Sequence, residues 1–425
     1  MTEMRAVVVD TPNEIAKSNN DLKLSTIPKP TIKSGEVLVK IVAFGVNRMD
    51  LLQARGLYPL PPQAPKTLGV EFSGVIVDVS ENSSWKIDQE VFGLAYGGAY
   101  AEYIAADQNM ILEKPDYLTH IQAAGICENY LTAHQAIKTI GKIKPGSDVL
   151  IHAGASGVGM AAIQLARHYG AKNVFTTAGS DDKLNTTKRL PLGATHGVNY
   201  RTQKFDEEVL KATQNKGVDI IVDMVGQSYF NANINALAKD GHMIMLGVLS
   251  GMVAKEVNIG PIIFKRLHIE GSTLRSRPAE YQGGLLKDFK NCALAEVGKT
   301  FDLKIHKVFK WTDIAAAHDC MSNNENTVSG EPSKFNANYD SITGNLKESA
   351  GNILGYESLK ESGAKQHASG EAEKQAATAK QYTEGATEGV QAKAQNVFGA
   401  VTGDKEQQAK GAAKEDKAEA KRNFA

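Results

Sequence analysis

Pro145-Gly146-Ser147-Asp148-Val149-Leu150-Ile151-His152-Ala153-Gly154-Ala155-Ser156-Gly157-Val158-Gly159 decides the fold, and it runs on into Ala161-Ala162-Ile163-Gln164-Leu165-Ala166-Arg167. An apolar run enters a glycine turn, and an amphipathic helix follows, expected over Met160 to Tyr169. This is where a dinucleotide-binding turn belongs. Gly154 opens the turn, Gly159 lets the helix pack close on the strand, and backbone N–H groups at the helix start face a pyrophosphate. Ala155, Ser156, Gly157 and Val158 complete the loop on the phosphate side. Ser156 replaces the middle glycine of G-x-G-x-x-G, and the alternative for the glycines alone is a tight βα turn without a ligand.

Downstream, the strand–turn–helix rhythm continues. Asn173-Val174-Phe175-Thr176-Thr177, Asp219-Ile220-Ile221-Val222-Asp223 and Gly241-His242-Met243-Ile244-Met245-Leu246 read as further strands of a parallel sheet in a βαβ series. Upstream the chain is β-rich. The segments 36–43, 74–79 and 100–104 alternate in polarity and are punctuated by glycine and proline. Near residue 330 the composition changes. After Pro332 there is no proline, cysteine or tryptophan, and Ala, Glu, Lys, Gln, Gly, Ser and Thr dominate. Such a segment buries too little apolar surface to offset its ordering entropy, so it is expected to be disordered or marginally helical. It carries a weak repeat, Asn352-Ile353-Leu354-Gly355 and Asn396-Val397-Phe398-Gly399.

The composition excludes several classes. The chain has 425 residues, with 48 Lys+Arg against 48 Asp+Glu. Zero net charge gives no global reason to bind nucleic acid or anionic membrane. Three widely spaced cysteines, Cys127, Cys292 and Cys320, rule out a disulfide framework and a multi-thiolate zinc site. The N-terminus has no apolar or Arg/Ser-rich leader, and apolar runs fall far short of the roughly 18 residues of a membrane span. A soluble, cytoplasmic protein is expected.

The string 145–167 resembles the signature of zeta-crystallin-type quinone oxidoreductases, within the medium-chain dehydrogenase/reductase superfamily. Gly45-Val46-Asn47-Arg48-Met49-Asp50-Leu51-Leu52 with Arg55-Gly56-Leu57-Tyr58-Pro59, and Leu68-Gly69-Val70-Glu71-Phe72-Ser73-Gly74, resemble its N-terminal motifs. Phe264-Lys265-Arg266 with Leu274-Arg275-Ser276-Arg277 resembles the branch of the tumour-suppressor-inducible quinone oxidoreductase. The resemblance covers about residues 4–328. It implies an α/β chain with a GroES-like β-rich catalytic domain (1–125 and 271–330) and a Rossmann domain, a doubly wound parallel sheet binding NADP (126–270). The tail, 331–425, resembles CsbD-like stress-response proteins. The family's closing Gly-Lys-Ile-Val-Leu strand is missing after Ser322–Thr327, where Val328-Ser329-Gly330-Glu331-Pro332 follows. Two reading frames joined at this point would account for that.

The second strand of the Rossmann unit selects the cofactor. NAD enzymes place Asp or Glu about 20 residues past the glycine turn, on the ribose hydroxyls. Here Thr177-Ala178-Gly179-Ser180 carries no carboxylate at the strand end. Gly179, Ser180 and the cation of Lys183 would admit a 2′-phosphate, and the resemblance adds Tyr200. Asp181 and Asp182 would repel a phosphate if they turned inward. NADPH is the expected cofactor.

Zinc-dependent relatives ligate metal through a cysteine near Val46-Asn47 and through the histidine of Gly-His-Glu. This chain has Gly69-Val70-Glu71 and no cysteine before Cys127. Valine cannot ligate zinc, so no metal site is expected. Without a Lewis acid, reduction of an electron-poor acceptor such as a quinone is the natural chemistry, with the protein supplying position and a donor to the oxygen. By resemblance, Tyr58 and Asn47 are the polar groups at the acceptor, and Thr132, Gly247, Leu274 and Ser276 contact the cofactor. His152 reads as a packed strand residue. Reduction of 2-alkenals or enones is the second enzymatic reading. A low-turnover, NADPH-binding stress-associated protein is the reading from another class. A small-molecule acceptor and a homodimer are expected, with no membrane or nucleic-acid partner.

Overall fold

A computed structural model describes residues 2–11 and 13–323. The glycine-turn strand lies at the centre of a six-stranded sheet. The strands are β8 (Asp148–Ile151), β9 (Asn173–Ala178), β10 (His196–Asn199), β11 (Val218–Asp223), β12 (Leu237–Met245) and β13 (His268–Gly271). All pair in parallel, in the order β10-β9-β8-β11-β12-β13. Alternation along the strands divides the core. Val149 and Ile151 pack on one face with Ile220, Val222 and the helix residues Ala162 and Leu165, whereas Leu150 packs on the other with Phe175, Ile221, Val209 and Phe205. The strand order reverses between β9 and β11, so the C-terminal end of β8 is the switch point where such sheets bind ligands.

Before this sheet stand seven antiparallel strands. β1 (Glu3–Val9) pairs with β2 (Leu22–Pro28). β3 (Glu36–Phe44), β4 (Glu71–Val79), β5 (Glu90–Leu94), β6 (Tyr103–Asp107) and β7 (Ile111–Glu113) form a five-stranded sheet in the order β6-β3-β4-β5-β7. The helices are α1 (Arg48–Ala54), α2 (His120–Ala123), α3 (Cys127–His134), α4 (Gly157–His168), α5 (Asp181–Lys188), α6 (Phe205–Ala212), α7 (Phe230–Ala236), α8 (Gly260–Phe264), α9 (Ala279–Cys292) and α10 (Ile314–Ser322). The β-rich part with GroES-like topology and the Rossmann-like parallel sheet are those expected, and the described residues belong to one unit.

Several boundaries differ from the sequence reading. The turn helix begins at Gly157 rather than Met160, because Ser156 caps it. The strand expected at 100–104 forms at 103–107. Tyr100 and Ala101 are engaged elsewhere, with the Tyr100 carbonyl accepting from Val7 N and Ala101 bridging Ala6. β12 starts at Leu237, four residues early. The CsbD-like expectation for 331–425 and the missing-strand expectation at 328–332 fall outside the described residues.

Candidate active site

The glycine turn is built by close packing. Ala153 sits in left-handed backbone, at a φ of 49°, and Gly154 N donates to Thr177 O at 3.0 Å. A Cβ on Gly154 would run into Thr176 Oγ1, and one on Gly159 into the Ala153 carbonyl. These two glycines bring the start of α4 onto β8 and β9. Ser156 is explained by its backbone: at φ −77° and ψ 165° it needs no glycine, and its Oγ accepts from Gly159 N at 3.0 Å as the helix cap. Ala155 is buried, and Val158 is partly so. A Cβ on Gly157 would meet Asn129 of α3 at 2.5 Å. The cradle fits a pyrophosphate at the helix N-terminus.

At the end of β9, a Cβ on Gly179 would lie 2.6 Å from the Tyr200 hydroxyl and 3.4 Å from Arg201 Nε. A carboxylate side chain therefore has no room there. Ser180 Oγ accepts from Lys183 N at 3.4 Å and caps α5. Burial first, then the charge of Arg201, hold the Lys183 ammonium below its usual range. Among the described residues neither cation pairs with a carboxylate. Asp181 is turned aside, accepting from Asn199 Nδ2 at 3.1 Å. Gly179, Ser180, Lys183 and Tyr200 thus come together as expected, and Arg201 joins them. Arg201 was missed because nothing in its local sequence separates it from a solvated arginine.

The second candidate end, around Asn47 and Tyr58, gathers residues from five segments. Asn47 caps α1 and is buried, and its Nδ2 donates to Glu71 Oε1 at 2.8 Å. Glu71 Oε2 accepts from Glu128 N at 2.9 Å. Asp50 accepts from Asn47 N and Gly69 N, at 2.8 and 3.1 Å. Burial pushes the Glu71 carboxyl up to about 8, Glu128 to about 7 and Asp50 to about 6. Tyr58 is half-buried, with the Arg275 guanidinium 5.5 Å from its ring centroid. Burial and the Glu128 charge raise its hydroxyl above the usual range, so Tyr58 stays a donor. Arg275 is buried. Its Nε donates to Tyr96 O at 2.7 Å and its Nη1 to Gln53 Oε1 at 2.8 Å, and its Nη2 has no partner among the described residues. Asp50, Glu71 and Arg275 stand in the motifs quoted above and Glu128 does not, and no spacing rule shows that positions 50, 71, 128 and 275 converge.

The first turn of α3 joins the two ends: the Glu128 backbone meets Glu71, and the Asn129 side chain packs on Gly157. Thr132 follows Glu128 by one helical turn. Gly247 lies just past β12, where a Cβ would sit 3.2 Å from Met224 O, and Met224 Sδ is 3.9 Å from Ser156 Oγ. Leu274 is buried in the core, and the exposed Ser276 hydroxyl meets Thr273 Oγ1 at 2.6 Å. His152 is fully buried between Thr177 Oγ1 and Asn233 Oδ1, and burial lowers it to about 4. Among the described residues no group of three or more His, Cys, Asp or Glu could hold a metal ion. No helix among them is long and apolar enough to cross a membrane.

A parallel sheet with a glycine cradle at its switch point defines the class of dinucleotide-binding, Rossmann-type proteins. Comparison with known proteins agrees. The alcohol dehydrogenase GroES-like domain matches residues 33–116, and the zinc-binding dehydrogenase family matches 157–291. Human quinone oxidoreductase is 34% identical over 262 residues, 61% of this chain and 78% of that protein. A zebrafish synaptic vesicle membrane protein VAT-1 homolog (Danio rerio) is 34% identical over 232 residues, 54% of this chain but only 47% of its own length. The CurK enoyl reductase superposes with a TM-score of 0.64 at 27% identity, covering 77% of this chain and 98% of that one. A mycobacterial protein complexed with NADPH gives 0.64 at 26%, covering 75% and 96%. The chain belongs to the medium-chain dehydrogenase/reductase family.

Proposed function

We propose that this protein is a zinc-independent, NADPH-dependent reductase of quinones. The carrying observation is the pair of cations Lys183 and Arg201, beside Gly179 and Tyr200, neither paired with a carboxylate among the described residues. Two positive charges and a phenol, with no space for a carboxylate, suit a dianionic 2′-phosphate and disfavour a bare ribose. When bound, the nicotinamide supplies a hydride. The chain's own residues do the rest. The glycine turn and the capped start of α4 hold the pyrophosphate, while Thr132, Gly247, Leu274 and Ser276 border the nicotinamide end. Tyr58 keeps its proton and presents it to the acceptor oxygen as charge develops there. Asn47, fixed by Glu71, orients that wall. Val46 and Val70 stand where zinc-dependent relatives carry ligands, so the reading gives no role to a metal.

Reduction of 2-alkenals or enones is the second reading, favoured by the likeness to the CurK enoyl reductase. A homodimer is supported by the outer edge of β13 and by exposed Ile263 and Phe264. A cytoplasmic site of action is supported by the low cysteine content, three widely spaced cysteines in 425 residues. The cofactor claim is tested by titrating the protein with NADPH and NADH. NADPH should bind more tightly by about 1–3 kcal/mol, as expected for charge-assisted hydrogen bonds to a phosphate. Lys183→Ala and Arg201→Gln should each erode the preference. Equal affinity in the unsubstituted protein defeats it.

A further inference from the structure

Away from the candidate site, four reactive groups meet where α3 and the segment after it face α9. Cys127 and Cys320 are buried, but Cys292 is partly open at the last position of α9. Its Sγ accepts a hydrogen bond from Lys138 Nζ at 2.9 Å and lies 3.5 Å from Asp288 Oδ1, which can take the thiol proton. Lys138 also donates to both Asp288 oxygens, at 2.7 and 2.8 Å. His134, one turn before Lys138, meets Asp288 Oδ2 at 2.7 Å, and its other ring nitrogen meets the Tyr169 hydroxyl at 2.7 Å. His134 and Lys138 thus fix the carboxylate from one side, and the carboxylate and amine bracket the sulfur. Lys138 lies in a π-helical turn, Gln135–Ile140, a wide-bore irregularity often found at functional positions. The Lys138 and Asp288 side chains are 34% and 43% exposed, so a small oxidant and water reach the group.

We propose that Cys292 and Lys138 are a peroxide-responsive modification site that closes into a covalent link between α9 and the 135–140 segment. In the first step, hydrogen peroxide oxidises the thiol. Its O–O bond breaks, sulfur takes one hydroxyl, and one water leaves, giving a sulfenic acid. In the second, Lys138 Nζ, having passed a proton to Asp288, attacks the sulfur. The S–N bond forms, the S–OH bond breaks, and hydroxide leaves as a second water with a proton from the nitrogen. One thiol, one amine and one peroxide become one sulfenamide and two waters. An amine already in contact with the sulfur is placed for this condensation, as a backbone nitrogen is in known sulfenamides. The link pins α9 to the segment that continues α3, the helix of Glu128 and Thr132.

The test treats the full chain with hydrogen peroxide and maps the digested protein by mass spectrometry. The expected product joins the peptides containing Lys138 and Cys292, two hydrogens lighter than their sum, and separates on treatment with dithiothreitol. Cys292→Ser should lose it. Lys138→Arg, which keeps the charge, should lose it and yield a sulfenic acid at Cys292 that dimedone traps. An unmodified Cys292 in the unsubstituted protein overturns the proposal, and so does an oxidised Cys292 without the linked pair.

Discussion

Glu71 accepts hydrogen bonds at both oxygens, yet burial raises its carboxyl from 4.5 to about 8. Its pH effect has a fixed sign. The folded chain holds the Glu71 proton more tightly than the unfolded chain, so this group's contribution is most favourable below about pH 4.5. Stability should fall as pH rises from 4.5 towards 8 and level off above. Glu71→Gln should flatten that fall by several kcal/mol, read as the difference in unfolding free energy between acid and alkaline buffers. An unchanged slope would mean that Glu71 is ionised in the fold. Tyr58 makes the second residue-scale prediction. Tyr58→Phe should lower quinone turnover by less than the 10²–10³-fold, or thereabouts, typical of an essential donor, and leave NADPH affinity nearly intact. An unchanged rate makes Tyr58 a packing residue. At this scale the sequence was only partly legible. Gly179, Ser180 and Lys183 are close in the chain, so the missing carboxylate beside them was readable. The Asp50–Glu71–Glu128–Arg275 group is assembled by tertiary contacts and leaves no local trace.

The β8–turn–α4 unit was the most legible element. An apolar run, two glycines and a periodic helix each report the same local structure, and the packing bears this out. Its ends were less so, because a serine cap moves the helix start by three residues without altering the hydrophobic pattern. β12 gave a similar error. Ala238, Lys239 and Asp240 show no alternation, yet the strand begins at Leu237 because Val218 of β11 pairs with it. The tight approach of β8, β9 and α4 makes a mutational prediction. Gly154→Ala forces Thr176 Oγ1 aside and should cost about 1–3 kcal/mol of stability, as overpacking does, with a larger proportional loss of cofactor affinity. Thermal unfolding and a cofactor titration check the two parts. A stable variant with unaltered affinity would mean that the turn does not need its close packing.

Among the described residues, the nucleotide-binding sheet and the β-rich part share one hydrophobic core, in which Phe92, Leu94 and Met110 belong to the same cluster as Val149 and Ile151, and long-range polar contacts add to it. Arg275 reaches back to Tyr96 and Gln53, and Glu128 to Glu71, across 179, 222 and 57 positions. Fold class was readable from repeated local motifs, but these ties were not, because they depend on closure of the whole chain. The described residues fall within the unit 1–330, so a chain ended at residue 330 should retain cofactor binding and turnover. Loss of folding on that truncation would make the tail part of the enzyme. The central claim is tested most directly by following NADPH oxidation with 1,2-naphthoquinone and with a 2-alkenal in parallel, after exhaustive chelation. Sustained turnover of the quinone is expected, faster than of the alkenal and unaffected by chelation. Absence of quinone turnover, or activity restored only by zinc, would contradict it.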